Sequence, residues 1–434
     1  MPTTELKPHD LLRSYGLSEA LGFLPHTAPL RRLTPAYYGP WEDAVGDLPK
    51  LINSRKIRST VDKIPLLETS YLKTEQEWRR AYVLLGFLTQ AYIWGEDTPA
   101  QRLPPQISIP FLTVSKYHDL PPTATYATLV LWNFAFQSPL CDVTNPVNLR
   151  SLQTVTGTKD EEWFYLISVA LESRGGPIIL ELLNCIEAVR RRDTAAIVTH
   201  LERTTLNVQR IGALLERMYE RCDPQTYYHD IRPLLAGTKN MATSGLPNGV
   251  LFDEGDGRSQ WRQYSGGSNG QSSLIQFLDI ALGVEHHATG APRGRSTQEG
   301  VKSKANAYIK EVRNYMPGAH RDFLVSVEKI ANIREYAVSG DAPEAVRRAY
   351  SETVTELSKF RDKHIQIVTR YIITPSKTPA AAHVKRKTGV NLATATSTAS
   401  TSAAEGPKFY GTGGTDLIPF LKQTRDETKS AALA

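Results

Sequence analysis

The feature that most constrains this chain is a stretch near its C-terminal end in which apolar residues recur with the period of an α-helix. They fall on one helix face at Val354, Leu357, Phe360, Val368 and Tyr371. The same spacing places His364 on that face, three residues after Arg361. The pattern therefore predicts a helix that packs this face against a larger body and ends at Thr374-Pro375.

His364 has two interpretations at this position. It is either a core histidine whose ring is hydrogen-bonded by a neighbour, or the axial ligand of a haem iron. A buried neutral imidazole on a long helix holds haem iron from one side in many proteins. Spacing alone leaves both interpretations open.

Length and composition favour a large globular protein without covalent cross-links. The chain has 434 residues, enough for one large domain or two. Its three cysteines lie far apart without a CxxC or CxxH pair, which argues against a disulfide framework or a structural zinc site and fits a reducing cytosol. The N-terminal segment lacks the apolar core of a signal peptide, and no long uncharged apolar run occurs. We therefore expect a cytoplasmic protein with no membrane partner.

The charge pattern argues against a nucleic-acid partner. The formal net charge is +6, and the basic residues are scattered. Arg190–Arg192 stands where a helix is expected to end, and cations there complement the helix dipole. Lys385–Lys387 lies in a low-complexity segment and is either a solvated loop or a localisation signal. Neither cluster has the interleaved aromatic residues that stack on bases.

Most of the remaining chain has the pattern of helices separated by prolines and glycines. An amphipathic helix is predicted from Glu75 to Trp94, whereas Leu103–Pro110 and Leu120–Pro122 predict extended linkers. Residues 161–172 are apolar nearly all round, which predicts a helix in the protein interior. Ser168 lies in that helix, and a serine inside a helix commonly donates its hydroxyl hydrogen to a backbone carbonyl of the same helix.

A glycine-rich loop and an arginine are the remaining candidates for a binding site. The loop Gly266–Ser273 does not have the GxxxxGK[ST] spacing of a phosphate loop, and no lysine follows it. Arg232 lies among aromatic and aliphatic residues, where a guanidinium either pairs with a carboxylate on the surface or captures a carboxylate ligand. Two low-complexity stretches, from 288 to 301 and from 374 to 408, predict a surface loop and a disordered insert.

Several runs of residues together resemble the indoleamine 2,3-dioxygenases, haem enzymes that open the indole ring of tryptophan. These runs are His364–Ile372 (HIQIVTRYI), Tyr315–Arg321 (YMPGAHR) and Gly266–Ser273 (GGSNGQSS). The order of short motifs from Phe23 onwards is similar to the family's N-terminal domain as well. The resemblance extends to about Phe420, and the chain is identified as a fungal-type member.

The resemblance implies a mostly α fold with two domains. A smaller, mainly helical N-terminal domain, residues 1–150, would cover the distal pocket. A large helical domain, residues 151–434, would bind haem b, with a lid segment at residues 409–424. The implied reaction is cleavage of the indole C2–C3 bond of L-tryptophan by O2 to N-formylkynurenine, the first step of the kynurenine pathway. We expect a monomer.

The resemblance also implies roles for individual residues. His364 would bind the haem iron, with O2 on the opposite face, where Ser168 orients O2 or water by a hydrogen bond. Arg232 would hold the substrate carboxylate, and Thr412 or a haem propionate its ammonium. The indole would stack near Tyr126 and Phe164. The other residues expected at the pocket are Tyr165, Tyr227, Leu235, Gly267, Ser268 and Asn269, with Asp279 and Arg361 supporting the iron ligand, Asp279 directly or through water.

The sequence departs from the family pattern at four pocket positions. Tyr165 and Tyr227 stand where the best-known members carry phenylalanine, Leu129 replaces a cysteine, and Asn269 replaces an alanine. We expect a more polar pocket that either binds tryptophan weakly or prefers a modified indole as substrate. The alternatives are therefore a haem oxygenase acting on such an indole in secondary metabolism, a catalytically weak haem- or O2-binding protein, and a purely structural helical protein.

Overall fold

α-Helices dominate the fold, as the sequence predicts. The structure is a computed structural model that describes residues 7–138, 142–287, 307–384 and 417–433. Across these ranges, no helix combines the length and the apolarity needed to cross a bilayer. The α-helices are α1 (Pro8–Ser14), α2 (Gly39–Gly46), α3 (Leu48–Asn53), α4 (Ile57–Val61), α5 (Glu75–Trp94), α6 (Pro105–Tyr117), α7 (Lys159–Ser173), α8 (Gly175–Arg190), α9 (Thr194–Glu216), α10 (Met218–Arg221), α11 (Pro224–Thr226), α12 (Ser273–Ala281), α13 (Ala307–Arg313), α14 (Gly318–Glu328), α15 (Ile333–Val338), α16 (Glu344–Val368), α17 (Thr374–Ser376) and α18 (Leu417–Ala431).

Within the residues that the structure describes, three π-helical turns occur beside the regular helices. They span Ala127–Leu131, Tyr227–Ile231 and Thr369–Ile373. A π-turn holds one residue more per turn than an α-helix, which widens the backbone and redirects side chains, and such turns are frequent at functional sites. The third turn directly continues α16, the helix that carries His364.

The strands are short and tie distant parts of the chain together. They are β1 (Arg102–Leu103), β2 (Phe134–Phe136), β3 (Leu149–Ser151), β4 (Val250–Asp253) and β5 (Ser259–Arg262). β1 pairs in parallel with β4, which pairs in an antiparallel manner with β5, while β2 and β3 form a separate antiparallel pair. Through the pair Leu103 and Phe252, a strand that follows α5 is joined to a segment almost 150 residues later.

Side-chain caps explain where the helices around the site begin. At α5, Thr74 and Glu77 form a capping box in which each side chain accepts a hydrogen bond from the other's backbone N–H. The Thr158 hydroxyl accepts from the backbone of Glu161 at α7, and Ser272 performs the same role at α12. The predicted apolar face of α16 is buried against α9, which confirms the helix on which the sequence argument rests.

Apolar side chains collect in two cores. The first surrounds α5 and takes in the turn Ala127–Leu131 together with residues 231–252. The second lies among α8, α9, α12, α14 and α16 and includes Leu12 from α1. Phe164 and Tyr227 pack against both cores, so their position is where the two meet. The division of the chain at residue 150 stays a prediction, because segments cross between the cores in both directions.

Most of the segment Leu103–Pro110, predicted as an extended linker, lies in the first half of α6 instead. Pro104 precedes the helix and Pro105 occupies its first turn, where the backbone N–H has no partner within the helix in any case. The prediction was wrong because prolines start this helix rather than break it. Residue Pro110 lies inside the helix and is buried.

Two predictions near the C-terminal end are also corrected. Residues 374–384, the first part of the predicted disordered insert, continue from the third π-turn through α17, and His383 contacts Asp223 at 3.0 Å. Within the predicted lid segment 409–424, α18 begins at Leu417 and extends beyond Thr424 to Ala431. Its second half has no apolar period because it buries small residues, including Thr428, against α16. The predicted loop 288–301 and the segment 385–416 lie outside the described residues.

Candidate active site

The residues predicted at the pocket, where the structure describes them, line one cavity. Thr412 lies outside the described residues. Leu129, at one of the departures from the family pattern, is at the wall as well. The other predicted residues at the wall are Tyr126, Phe164, Tyr165, Ser168, Tyr227, Arg232, Leu235, Gly267, Ser268, Asn269, Asp279, Arg361 and His364.

Each of the three π-turns supplies part of the wall. The turns place Leu129, Tyr227 and Tyr371 at the cavity, and α7, the glycine-rich loop, α12, α13, α16 and α18 contribute further parts of the wall. Tyr371 is fixed in place because its hydroxyl donates to the backbone oxygens of Met218 (3.2 Å) and Cys222 (2.8 Å). Most of the lining is apolar, and α18 contributes an apolar face that includes Phe420.

His364 presents a neutral imidazole to the cavity. Burial lowers the pKa of the ring to about 4, and the positive charge of Arg361 acts in the same direction. The side chain keeps some accessible surface, and since it lines the cavity that surface faces inward. Among the described residues none hydrogen-bonds either ring nitrogen. The interpretation as a hydrogen-bonded core histidine therefore finds no partner, whereas a free lone pair suits a metal ligand.

A network of charged side chains lies beside His364. The Arg361 guanidinium donates to both Asp279 oxygens at 2.5 and 2.7 Å, and His286 contacts Asp279 Oδ2 at 3.1 Å. On its other nitrogen, His286 contacts Glu427 of α18 at 2.7 Å. Asp279 thus pairs with Arg361 and His286 and makes no direct hydrogen bond to His364, which corrects the direct form of that prediction.

The network keeps its members charged although they are buried. Burial alone would raise the pKa of Asp279, but the charges of Arg361 and His286 outweigh it and lower the pKa. Burial would likewise lower the pKa of His286, but Asp279 and the hydrogen bonds to Asp279 and Glu427 raise it to about 9. The imidazolium of His286 therefore joins α12 to α18 at neutral pH.

Another part of the wall carries hydroxyl groups. Ser168 on α7 lies beside the Tyr126 hydroxyl and makes no hydrogen bond back to its own helix within the described residues. The Tyr126 hydroxyl donates to Glu172 Oε1 at 3.1 Å, and Ser272 donates to the same oxygen at 2.5 Å. Glu172 itself is fully buried behind this wall.

The two tyrosines that depart from the family pattern use their hydroxyls differently. Tyr165 donates to Glu161 Oε1 at 2.8 Å, so its hydroxyl is held within the wall. Tyr227 packs edge-to-face on Phe164, with ring centroids 4.9 Å apart, and none of the described residues hydrogen-bonds its hydroxyl. Of these two hydroxyls, that of Tyr227 therefore makes the cavity more polar, whereas that of Tyr165 does not.

Arg232 is buried, which corrects the surface ion-pair interpretation. Its side chain is 3% exposed, and the guanidinium lies 5.8 Å from the centroid of the Tyr228 ring. Burial lowers its pKa, with the two neighbouring tyrosines opposing the shift. A guanidinium stays charged despite such a shift, so the cavity wall carries a fixed cation.

The glycine-rich loop depends on close packing within the protein. A Cβ atom at Gly267 would lie 2.4 Å from Leu129 Cδ1, and one at Gly266 would lie 2.3 Å from the Leu235 oxygen. The loop is also tied to the first π-turn, because Gln271 Oε1 accepts from the Tyr126 N–H at 2.9 Å. Larger residues at the two glycines would push the loop away from this wall.

Sequence reasoning missed four residues of this site: Glu161, Glu172, His286 and Glu427. The two glutamates on α7 had a signal, since helical spacing places Glu172 one turn after Ser168 and Glu161 one turn before Tyr165. Glu427 had none, because it follows a long low-complexity stretch and meets His286 only through the fold.

Comparison with known proteins gives a consistent family. Residues 11–431 match the model of a family described as indoleamine 2,3-dioxygenase. An indoleamine 2,3-dioxygenase of Penicillium citrinum is 41% identical over 97% of this chain and 88% of its own length. One from Saccharomyces cerevisiae is 40% identical over 99% of this chain and 95% of its length. A 6-hydroxytryptophan 2,3-dioxygenase of Fusarium equiseti is 37% identical over 96% of both chains.

The His286 network predicts a pH dependence of stability. Because the folded-state pKa of His286 is raised from 6.5 to about 9, its contribution is complete below pH 6.5 and is lost as the pH rises through 9. Between pH 6.5 and 9.5 the free energy of unfolding should fall by up to about 3 kcal/mol more in the wild type than in His286→Gln. Urea denaturation at several pH values measures this difference. His200→Gln, which removes a histidine–carboxylate contact of 2.6 Å elsewhere, is the control, and an equal slope in wild type and His286→Gln would contradict the assignment.

Proposed function

Since the chain belongs to the indoleamine 2,3-dioxygenase family, we propose that it is a haem-dependent dioxygenase that converts L-tryptophan and O2 to N-formylkynurenine by cleaving the indole C2–C3 bond. The observation that carries this proposal is the neutral imidazole of His364 at a largely apolar cavity that is also lined by Ser168 and Phe164.

The donor groups at the cavity fit haem. Within the described ranges, no cluster of three or more His, Cys, Asp or Glu side chains could hold a metal ion by itself. An iron at His364 would therefore have to bring its own in-plane ligands, as a porphyrin does. We propose haem b, held by His364 with Arg361 and Asp279 beside it. When bound, the haem iron supplies the redox and O2 chemistry that no side chain provides.

Arg232 and the aromatic residues suit an aromatic amino acid. The buried cation of Arg232 would pair with the substrate carboxylate, since a guanidinium binds a carboxylate through two parallel hydrogen bonds. Phe164 and Tyr126 offer aromatic surface for the indole ring at the same cavity. The role of Thr412 at the ammonium group stays a proposal, as its position lies outside the described residues.

The protein's contribution to the reaction is positioning and exclusion of water. The histidines at the cavity within the described residues are His364 and His286, and both belong to the side formed by α12, α16 and α18. The wall that faces them offers hydroxyls, which orient a ligand without acting as a strong base. Orientation of two reactants in a dry cavity lowers the barrier by restricting their motion in advance. Ser168 is a positioning residue in this proposal.

The oligomeric state, the cellular location and the pathway of the enzyme can be proposed as well. We propose that it works as a monomer in the cytoplasm and in the kynurenine pathway.

A ring-hydroxylated tryptophan is the second candidate substrate. It is favoured by the Tyr227 hydroxyl, which lines the cavity without a hydrogen bond to the described residues. A substrate hydroxyl that meets this group would satisfy both, and a site built in this way favours the hydroxylated compound. The Fusarium relative named as a 6-hydroxytryptophan dioxygenase gives the probe for this test.

Replacing His364 tests the proposed iron ligand. His364→Ala should lose the haem absorption band and the bound haem, because no other described histidine at the cavity has an unpaired ring. Far-UV circular dichroism checks that the fold is kept, and added imidazole should restore part of the band. His200→Ala serves as the control and should keep its haem. A His364→Ala protein with an unchanged haem content and spectrum would refute the assignment.

Replacing Arg232 tests carboxylate recognition. Arg232→Ala should retain haem and raise the KM for L-tryptophan by about tenfold or more, since a charge-assisted hydrogen bond contributes about 1.5–3 kcal/mol. Tryptamine, which lacks the carboxylate, should be affected far less, so the variant loses the preference for tryptophan over tryptamine. Steady-state kinetics with both compounds measure this. Equal losses for both would assign Arg232 to the fold instead.

The two tyrosines provide a matched test of substrate preference. In Tyr227→Phe, kcat/KM for 6-hydroxytryptophan should fall about three- to tenfold relative to that for L-tryptophan, the effect of one lost hydrogen bond. In Tyr165→Phe the ratio of the two should not change, because the Tyr165 hydroxyl is bound by Glu161. A ratio that shifts equally in both variants, or in neither, would remove this candidate substrate.

A further inference from the structure

Glu172 is a buried acid behind the distal wall of the cavity, and the proposed reaction gives it no role. It lies on α7 one turn beyond Ser168, and its side chain is 0% exposed. It does not line the cavity itself, but its two hydrogen-bond donors, Tyr126 and Ser272, do. The carboxyl group therefore joins α7 to the first π-turn and to the glycine-rich loop.

Hydrogen bonding to this carboxyl group is uneven. Both hydroxyls donate to Oε1, while Oε2 is buried with no hydrogen-bond partner. An ionised carboxylate has about four acceptor positions, so this arrangement leaves half of the group without stabilisation. A neutral carboxylic acid loses less from such surroundings, because burial acts against the charged form.

Glu161, on the same helix, is a buried carboxylate whose two oxygens both accept hydrogen bonds. It is as buried as Glu172, and its hydrogen bonds come from the backbone of Val155, the backbone and hydroxyl of Thr156, and the hydroxyl of Tyr165. Glu172 has two donors where Glu161 has four. Burial raises the pKa of Glu161 as well and its four donors oppose that shift, so these two buried glutamates differ in their hydrogen bonds, and Glu172 is the one with an unpartnered oxygen.

The groups that act on Glu172 are the hydroxyls alone. The charged form of Glu172 is stabilised by the hydroxyls of Ser272, in the glycine-rich loop, and Tyr126, directly before the first π-turn. Ser168 on α7 contacts Tyr126. No charged side chain of the described residues contributes to its ionisation. Burial outweighs the hydroxyls and raises the pKa of Glu172 to about 7, within the range in which a cell operates.

Protonation would change what the wall presents to the cavity. While Glu172 is ionised, both hydroxyl hydrogens point to Oε1 and away from any ligand. A proton placed on Oε2 would find no acceptor, so the proton belongs on Oε1, where it must donate to one of the two hydroxyl oxygens. That hydroxyl then turns its own hydrogen away from Glu172, either to the cavity that it lines or, from Tyr126, to Ser168, which lines the same cavity.

We propose that Glu172 is a protonation switch of the active site: its neutral form turns a hydroxyl hydrogen of Tyr126 or Ser272 into the cavity, and its ionised form withdraws that donor and adds a negative charge behind the wall. The neutral form should bind L-tryptophan more tightly, because the substrate brings a carboxylate. Binding and protonation are linked reciprocally, so a ligand that prefers the neutral form also favours proton uptake. The choice of L-tryptophan rests on the proposed function, whereas the switch itself does not.

The experiment compares wild type with Glu172→Gln, which has nearly the same shape and is always neutral. In the haem-loaded wild type, infrared spectra should contain a carboxylic acid C=O band that disappears as the pH rises from 6 to 8. The band should be absent from Glu172→Gln and present in Glu161→Gln. In Tyr126→Phe, which removes one donor to the carboxylate, it should persist to higher pH. A band that does not titrate, or that survives in Glu172→Gln, would overturn the proposal.

Binding of L-tryptophan gives the second measurement. Between pH 6 and 8 the Kd of the wild type should rise severalfold, and a tenfold rise corresponds to a ligand-induced pKa change of about one unit. The Kd of Glu172→Gln should stay constant over the same range, and an identical pH profile in both proteins would overturn the proposal. If L-tryptophan does not bind at all, the proposed function fails while the infrared titration still decides whether the switch exists.

Discussion

Desolvation is the constraint on which the cavity depends. A charged group at the cavity is cut off from bulk water and requires partners within the protein, because an unpaired buried charge is costly. Asp279 meets this requirement with a guanidinium and an imidazolium, and Glu161 with four hydrogen-bond donors. His364 meets it by losing its proton, which leaves a neutral nitrogen facing inward. Desolvation thus favours both the neutral imidazole of the proposed metal ligand and the ion pairs and hydrogen bonds that hold the surrounding wall.

The charged network also explains how α18 is held in position. α18 follows a long stretch of low complexity and has a weak apolar pattern, so burial of apolar surface alone gives it little reason to dock in one position. Glu427 fixes it to His286, and Arg425 pairs with Asp362 on α16, two residues before His364. The helix that carries the proposed iron ligand and the helix that covers it are therefore held together by ionic contacts as well as by packing.

Features that depend on neighbouring residues along the chain could be predicted from this sequence, whereas contacts between distant residues could not. Apolar periodicity gave α5, α7 and α16, since a helix buries one face whatever its partner is. It failed at α6, where prolines occupy the first turn, and at the end of α18, where the buried residues are small. The positions of the pocket residues came from runs of sequence and not from periodicity. What the sequence could not reveal are the pairs made across the fold, such as Asp279 with Arg361 or His286 with Glu427.

The π-turns have a consequence for how this architecture varies among related chains. Each such turn contains one residue more than a regular helical turn, and an α-helix rotates by about 100° per residue. Loss of a single residue within Ala127–Leu131 or Thr369–Ile373 would convert the turn to regular helix and swing every later side chain of that segment around the axis. A substitution in one of these segments keeps the number of residues in the turn. A one-residue gap in a sequence alignment at either segment would instead indicate a cavity of different shape.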